Sequence, residues 1–277
     1  MENLSMGLWN GMLAFQRNGL ALRMAQEPEE LRAAQRLRYQ IFYEECGAKP
    51  DEAMRASRRD EDRFDAICDH LLVIEQGGHS EDGTALCDGR LIGTYRLLRQ
   101  DVAETHGGFY SQSEYDLRPL LQRHANLRFL EVGRSCVAQG FRGKPVAELL
   151  WQGIWNYVRI HRMDVMIGCA SLEGTNVEAL ADELTFIATA RSTPENWCAM
   201  ALPDVAVPML RKAASDVDQR DVLRRLPTLI KAYMRLGCYF GEGAVIDHQF
   251  NTTDILIVLP VSEINPKYFS HYGSPVE

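Results

Sequence analysis

Residues 140–144 place two cations, Arg142 and Lys144, around Gly143, directly ahead of a run with helical periodicity. The first backbone N–H groups of a helix have no partner inside it, and the helix dipole is positive there, so such a loop is suited to an anion. Arginines stand at Arg38, Arg96 and Arg134, the second inside an apolar strand. A guanidinium recognises a carboxylate through paired donors. Asp62, Asp65 and Glu131 supply carboxylates, the last inside an apolar strand. Glu131 and Arg134 are three apart, which a regular strand sends to opposite faces. Gly133 between them eases the bulge that would turn both into one pocket. Asp247-His248 offers a catalytic pair, but a lone histidine near a strand end is more often structural.

These side chains need elements to hold them. Leu130, Val132 and Cys136 lie in a run rich in strand formers. Val146, Leu149, Leu150, Ile154, Tyr157 and Val158 then recur at helical spacing, and residues 164–169 have the length of a buried strand. Residues 127–171 therefore read as strand, loop, helix, strand. Upstream, residues 19–25 read as a first strand, and Pro28-Glu29-Glu30 as the start of a helix ending near Gly47. The charge-dense residues 49–63 read as a loop or broken helix, either a solvated connection or else a lid or a docking face for an acidic carrier. Residues 70–76 and 90–99 read as a hairpin with a long connection. Residues 101–125 show no period. A helix is expected around 177–184, an irregular insertion over 185–221, and a helix over 224–236 with Pro227 near its start and Gly237 as its stop. Residues 243–247 and 254–260 read as late strands. Strand hairpins with one parallel crossover predict an α+β fold, a mixed and mostly antiparallel sheet flanked by helices. The simplest division is one domain over 1–277, with 1–18 as a lead-in.

At 277 residues, 46% hydrophobic and 25% charged, the composition is that of a globular protein able to bury a sizeable core. The net charge of −8 argues against a general nucleic-acid binder. The seven cysteines form no CxxC pair and the seven histidines no ligand motif, so no metal is expected and the setting reads as a reducing cytosol. No run is long and apolar enough to span a bilayer. Residues 6–22, rich in Leu, Met, Trp and Phe, read either as a core-packing lead-in or as a segment touching a membrane surface.

The run Arg142-Gly143-Lys144-Pro145-Val146-Ala147 resembles the [Q/R]-x-x-G-x-[G/A] loop of the GNAT acyltransferase fold, whose amides bind the donor's pyrophosphate. Pro145 departs from it where glycine is usual, and proline has no N–H. That loss disfavours a CoA pyrophosphate and suits the single phosphate of phosphopantetheine on an acyl carrier protein. A second set resembles the acyl-homoserine lactone synthases: Arg38-x-x-x-Phe42, Asp62-x-x-Asp65, Gly93-Thr94-Tyr95-Arg96-Leu97-Leu98 and Glu131-x-x-Arg134, in that order. The tryptophan expected after Phe42 is absent. The chain also continues into residues 243–260, whose FNTTDILIVLP resembles the sister family often labelled hemolysin-like. LRYQIFYEE and LEVGRSCV resemble it too. That family contains the L-ornithine Nα-acyltransferases of ornithine-lipid synthesis.

The resemblance implies a cytoplasmic enzyme, peripheral on the inner membrane face, that moves a 3-hydroxyacyl chain from acyl carrier protein to the α-amine of ornithine, giving lyso-ornithine lipid. No cofactor is implied; the phosphopantetheine thioester is a co-substrate. An α-amine is largely protonated at neutral pH, so a base helps, and the resemblance gives that role to Glu131, with Arg134 and Asp65 beside it. It gives Arg38, Phe42, Asp62 and Arg96 to the acceptor, and Val137, Arg142, Gly143, Lys144 and Ala147 to the donor. Arg55, Arg58, Arg59, Arg63, Arg142 and Lys144 offer cations to an acidic carrier. Alternatives are a homoserine-lactone-type signal synthase, a transferase to lysine, glutamine or glycine, and a non-catalytic lipid- or carrier-binding protein. A covalent route through Cys136 or Cys169 lacks a His-Asp partner pattern.

Overall fold

The computed structural model describes residues 5–9, 12–265 and 268. In chain order the elements are β1 (Ser5–Trp9), β2 (Met12–Arg17), β3 (Leu20–Met24), α1 (Pro28–Tyr39), α2 (Glu52–Ser57), β4 (Asp69–Gln76), β5 (Ala85–Leu86), β6 (Gly89–Arg99), α3 (Gln100–Thr105), β7 (Tyr115–Asp116), α4 (Arg118–Arg123) and β8 (Phe129–Val137). They continue with α5 (Lys144–His161), β9 (Val165–Glu173), α6 (Ala181–Ala190), β10 (Met200–Ala201), β11 (Ala206–Val207), α7 (Gln219–Arg225), α8 (Thr228–Leu236), β12 (Tyr239–Phe240), β13 (Ala244–Asp247) and β14 (Thr252–Pro260). The chain forms two compact units: residues 1–102 with 132–162, and residues 103–131 with 163–277.

In the first unit β1, β2, β3, β4 and β6 pair antiparallel in that order, β5 caps the β4–β6 turn, and β8 lies next to β6. Leu71, Leu72, Val73 and Ile74 of β4 are all buried. An unbroken buried run needs cover on both faces of its sheet, and α1 and α5 both pack on β4 and β6. Gly153 lets α5 approach: a Cβ there would stand 2.5 Å from Leu71 Cδ2. α1 starts where Pro28 presets the first helical φ. Glu30 reaches back to accept from the Gln26 and Glu27 amides at 2.6 and 3.1 Å, taking up donors the helix cannot satisfy. α1 then passes into one turn of π-helix over Gln40–Glu45, and Gly47, at φ +77°, ends the run as expected.

In the second unit Phe129, Leu130 and Glu131 pair parallel with Val165, Met166 and Ile167, and β9 pairs antiparallel with β14 along all nine residues. β13 and β12 pair with β14, β11 pairs with β13, and β7 and β10 form a separate two-stranded ladder. The core is Phe129, Leu130, Val165–Ile167, Ile255–Leu259 and, from the helices, Leu184, Ile187, Ile230 and Tyr233.

The α+β architecture and the parallel crossover are as expected. Several boundaries differ, mostly where elements are too short to show a period. Residues 49–63 hold α2, whose start is capped by Asp51 accepting from the Met54 amide at 2.7 Å. Residues 101–125 hold α3, one 3-10 turn at Tyr110–Ser113, β7 and α4. α6 begins at Ala181, later than its expected helix. Residues 224–236 form not one helix but the end of α7 and all of α8, because Pro227 breaks the run and caps α8. Residues 6–9 fall in β1, 12–17 in β2 and 20–22 in β3, and the side chains of residues 6–15 and 17 lie outside the described residues.

Candidate active site

In the first unit, α1, the loop before β4, β6 and β8 bring together Arg38, Asp62, Asp65, Arg96 and Arg134. They bring in Asp60 as well, which the sequence shows only as one of the charge-dense residues 49–63. Arg38 Nη1 and Nη2 donate to the two oxygens of Asp65 at 2.9 and 2.7 Å, a two-pronged fork. Its Nε lies 2.7 Å from Asp60 Oδ2. Arg96 Nη1 donates to Asp62 Oδ1 at 2.7 Å and Asp65 Oδ1 at 3.1 Å. Arg134 reaches Asp60 Oδ2 and Asp62 Oδ2, each at 3.2 Å. Gln35 Nε2 and the Asp62 amide complete Asp65 at 3.0 and 3.3 Å, and Tyr43 Oη donates to Asp60 Oδ1 at 3.0 Å. Three guanidinium groups thus meet three carboxylates, so the cluster is close to neutral and its burial is tolerable.

Local chain geometry makes this cluster possible. Arg134 sits at φ +52°, left-handed and outside strand geometry. Arg134 follows Gly133 directly, and its guanidinium reaches the aspartates. His70, the cross-strand partner of Arg96, has Nε2 3.0 Å from the Asp65 carbonyl oxygen. Its buried Nδ1 has no hydrogen-bond partner among the described residues.

The electrostatics follow from burial set against these pairs. Burial alone would raise the Asp65 carboxyl, but Arg38 and then Arg96 outweigh it and hold it well below the usual carboxylate range. Asp62 is likewise pushed up by burial and pulled below its ordinary value by Arg96 and Arg134. Burial and the Arg38 charge lower His70, against the hydrogen bond to Asp65. Asp65 is therefore an anchor for cations rather than a proton acceptor. Arg38, 1% exposed, fixes acids instead of reaching solvent, whereas the side chains of Asp62 and Arg134 are 19% and 11% exposed. Phe42 lies half-buried in the π-helical turn that continues from Arg38.

The residues assigned to a donor lie in the same unit. Val137 ends β8, Gly143 is the N-cap of α5, Lys144 and Pro145 are its first two residues, and Ala147 is in its first turn. Arg142 Nε donates to the Val137 carbonyl at 3.0 Å, and its guanidinium pairs with Glu45 at the end of the π-helical turn. Pro145 removes one of the amides a helix start offers to an anion.

Glu131 belongs to the second unit and is buried. The Tyr110 and Ser111 amides donate to its two oxygens, each at 2.8 Å, and Ser111 Oγ donates to Oε1. The carboxylate thus takes the first free amides of the Tyr110–Ser113 turn and is itself fixed in orientation. No period in residues 101–125 signalled this turn.

Two other candidates resolve differently. Burial pushes the Cys136 and Cys169 thiols far up, with the Glu114 carboxylate adding to the effect on Cys169. A thiol so held is not the thiolate that covalent catalysis needs. Asp247 Oδ1 accepts from the Gln249 and Phe250 amides at 2.7 and 2.9 Å, forming a turn, and His248 is exposed. Glu114, Asp247 and Asp254 bring one oxygen each within 4.8 Å of one another, the one such group among the described residues able to hold a cation.

Residues 37–152 match the family model of the acetyltransferase (GNAT) domain. The chain is 48% identical over 261 residues to a protein from Agrobacterium fabrum (strain C58 / ATCC 33970) named L-ornithine N(alpha)-acyltransferase, covering 93% of this chain and 86% of that one. It is 44% identical over 255 residues to a protein of the same name from Rhizobium meliloti (strain 1021), covering 92% and 84%. Among solved structures it resembles FeeM, an N-acyl amino acid synthase from uncultured soil microbes, with a TM-score of 0.51 and 14% identity over 90% of this chain and 97% of that one. At that identity the likeness concerns the fold.

Proposed function

The chain belongs to the L-ornithine Nα-acyltransferase family and is an acyltransferase, and from that premise we propose that it moves a 3-hydroxyacyl chain from acyl carrier protein to the α-amine of L-ornithine. The observation that carries this reading is the 48% identity over 93% of the chain to a protein of that name. The product is lyso-ornithine lipid, and the enzyme works at the inner membrane face without a cofactor of its own. No helix among the described residues is long and apolar enough to cross a membrane. A peripheral attachment is compatible with that.

The acceptor's carboxylate meets Arg134, the more exposed of the paired arginines, and Asp62 faces its ammonium group, with Phe42 beside them. Arg38, Arg96 and Asp65 hold those two in place. Glu131 takes the proton of the attacking amine, its orientation set by the Tyr110–Ser111 amides. The amine nitrogen attacks the thioester carbonyl carbon; the C–N bond forms, the C–S bond breaks, and the thiolate leaves on the phosphopantetheine arm. The start of α5 holds that arm's phosphate. Pro145 favours acyl carrier protein over CoA, because a pyrophosphate loses one of its amides there. Direct attack, with no acyl-enzyme, agrees with the two buried, protonated thiols.

The test is purified protein with 3-hydroxyacyl carrier protein and a panel of ornithine, lysine, glutamine, glycine and S-adenosylmethionine. Mass spectrometry of the lipid extract should find 3-hydroxyacylornithine as the main product. Acylation of another amine in preference, or an acyl-homoserine lactone, would overturn the reading.

A further inference from the structure

We propose that the surface built from residues 200–235 seats the protein on an anionic phospholipid bilayer. Six large apolar side chains stand exposed among the described residues. Five of them fall in this one stretch: Met200, Val205, Leu210, Leu223 and Leu229, from 38% to 64% exposed. Residues 210–236 also carry seven Lys or Arg against three Asp, in a chain whose net charge is −8. Exposed apolar groups among cations fit an interface where hydrocarbon lies under a negative headgroup layer.

Ion pairs and a hydrogen bond draw together the segments that carry Leu210, Leu223 and Leu229. Lys212 lies 2.5 Å and Arg225 3.4 Å from the same Asp182 of α6, so the chain beside Leu210 is tied to the chain beside Leu223. Lys231 Nζ donates to the Arg224 carbonyl at 3.4 Å, tying α8, which carries Leu229, to the end of α7. Arg211 pairs with Glu178, and Arg224 with Asp221. Arg225 also pairs with Glu183, so both acids of α6 are taken. Arg220 and Arg235 are exposed and have no carboxylate partner among the described residues, and Lys231 has only the carbonyl. The exposed Arg220 and Arg235 and the half-buried Lys231 are thus the cations of this stretch that no carboxylate takes among the described residues.

An acidic carrier protein would use the cations but not leucines spread over nearly twenty residues. A bilayer uses both. The inference rests on the reading above in one respect: a lipid product leaves most directly into a bilayer under the enzyme.

The test is co-sedimentation of the full chain with vesicles of phosphatidylglycerol and phosphatidylcholine, and with phosphatidylcholine alone. Wild type should bind the anionic vesicles and lose them as salt rises. A juxtamembrane cation contributes about fivefold in partition, so R220Q/K231Q/R235Q should bind roughly a hundredfold more weakly. L210S/L223S should also bind more weakly, at any salt. Both variants should keep the wild-type melting profile and acyl transfer to soluble ornithine. Equal vesicle binding by wild type and variants, or none by wild type, would overturn the proposal. So would a raised KM for acyl carrier protein in R220Q/K231Q/R235Q with vesicle binding unchanged, which would make this the carrier's surface. A mass that doubles with concentration in wild type but not in L210S/L223S would make it a contact between copies and overturn it too. Vesicle binding that persists while no acylornithine forms would sink the functional reading and leave this one standing.

Discussion

Replacing Arg38 with methionine tests whether the arginine–aspartate cluster is a buried, mutually dependent unit. Met keeps the apolar stem and removes a guanidinium that is 1% exposed and meets Asp60 at 2.7 Å and both oxygens of Asp65. Removing one partner of a buried pair costs about 3–5 kcal/mol, because the charge left behind stays desolvated. Asp60 would keep Tyr43 and Arg134, and Asp65 would keep Gln35 and Arg96. The loss therefore belongs at the lower end, about 3 kcal/mol. With a urea m-value of about 3 kcal/mol/M, the midpoint of the unit containing Arg38 should fall by about 1 M. The pH dependence gives a second check. Asp65 is held below its unfolded value, so its contribution is complete above that value, about 3.9, and is lost as pH falls through the native one. In R38M that contribution shrinks. The deficit should be full above about pH 5, should narrow as the pH falls below about 3.9, and should close only as the pH falls through the much lower native value of Asp65. Adding Asp60→Asn to R38M should recover at least about 1 kcal/mol, since one orphaned charge is removed. A urea midpoint for R38M within about 0.3 M of wild type at pH 8 would refute the cluster as a coupled buried unit.

Glu131→Gln should lower kcat by about 10²–10⁴, the range for a lost general base, with the KM for ornithine little changed; a loss under about threefold would remove Glu131 from proton transfer. Gly153→Ala should destabilise the first unit by about 1–3 kcal/mol, because the new methyl would stand 2.5 and 2.8 Å from the two Leu71 methyls; a melting temperature equal to wild type would mean α5 can lift off β4 freely. His70 is held below its unfolded value, so its contribution is complete above about pH 6.5 and is lost as pH falls through the native value. Stability should therefore fall by at most about 1.4 kcal/mol per pH unit below pH 6.5, and His70→Gln should flatten that slope; an unchanged slope would assign the acid sensitivity elsewhere.

Much of the architecture follows from local pattern. The helical recurrence of Val146, Leu149, Ile154 and Val158 and the apolar runs on either side specify a β-loop-α-β unit, because burial of one stripe or of both faces leaves a period in the chain. Gly47 and Gly237 marked helix ends by backbone freedom, and both take positive φ there. The four ordered motifs named Arg38, Asp62, Asp65, Arg96, Glu131 and Arg134, but not Asp60. What they could not tell was which charge meets which. Asp60 and Asp62 look alike in sequence, yet Asp60 is 1% exposed and shared between Arg38 and Arg134, while Asp62 keeps a face to solvent. That difference arises from where α1, β6 and β8 converge, across separations of 22 to 74 residues, and no local period records it. The partner of Glu131 was hidden for the same reason. Ser111 lies twenty residues away in a single 3-10 turn too short to leave a pattern. Sequence alone thus determined the fold class, the family and the list of chemical groups. Only the tertiary structure decided their pairing, because a buried charge is tolerated only beside its counter-charge, and that neighbour is chosen by packing rather than by spacing along the chain.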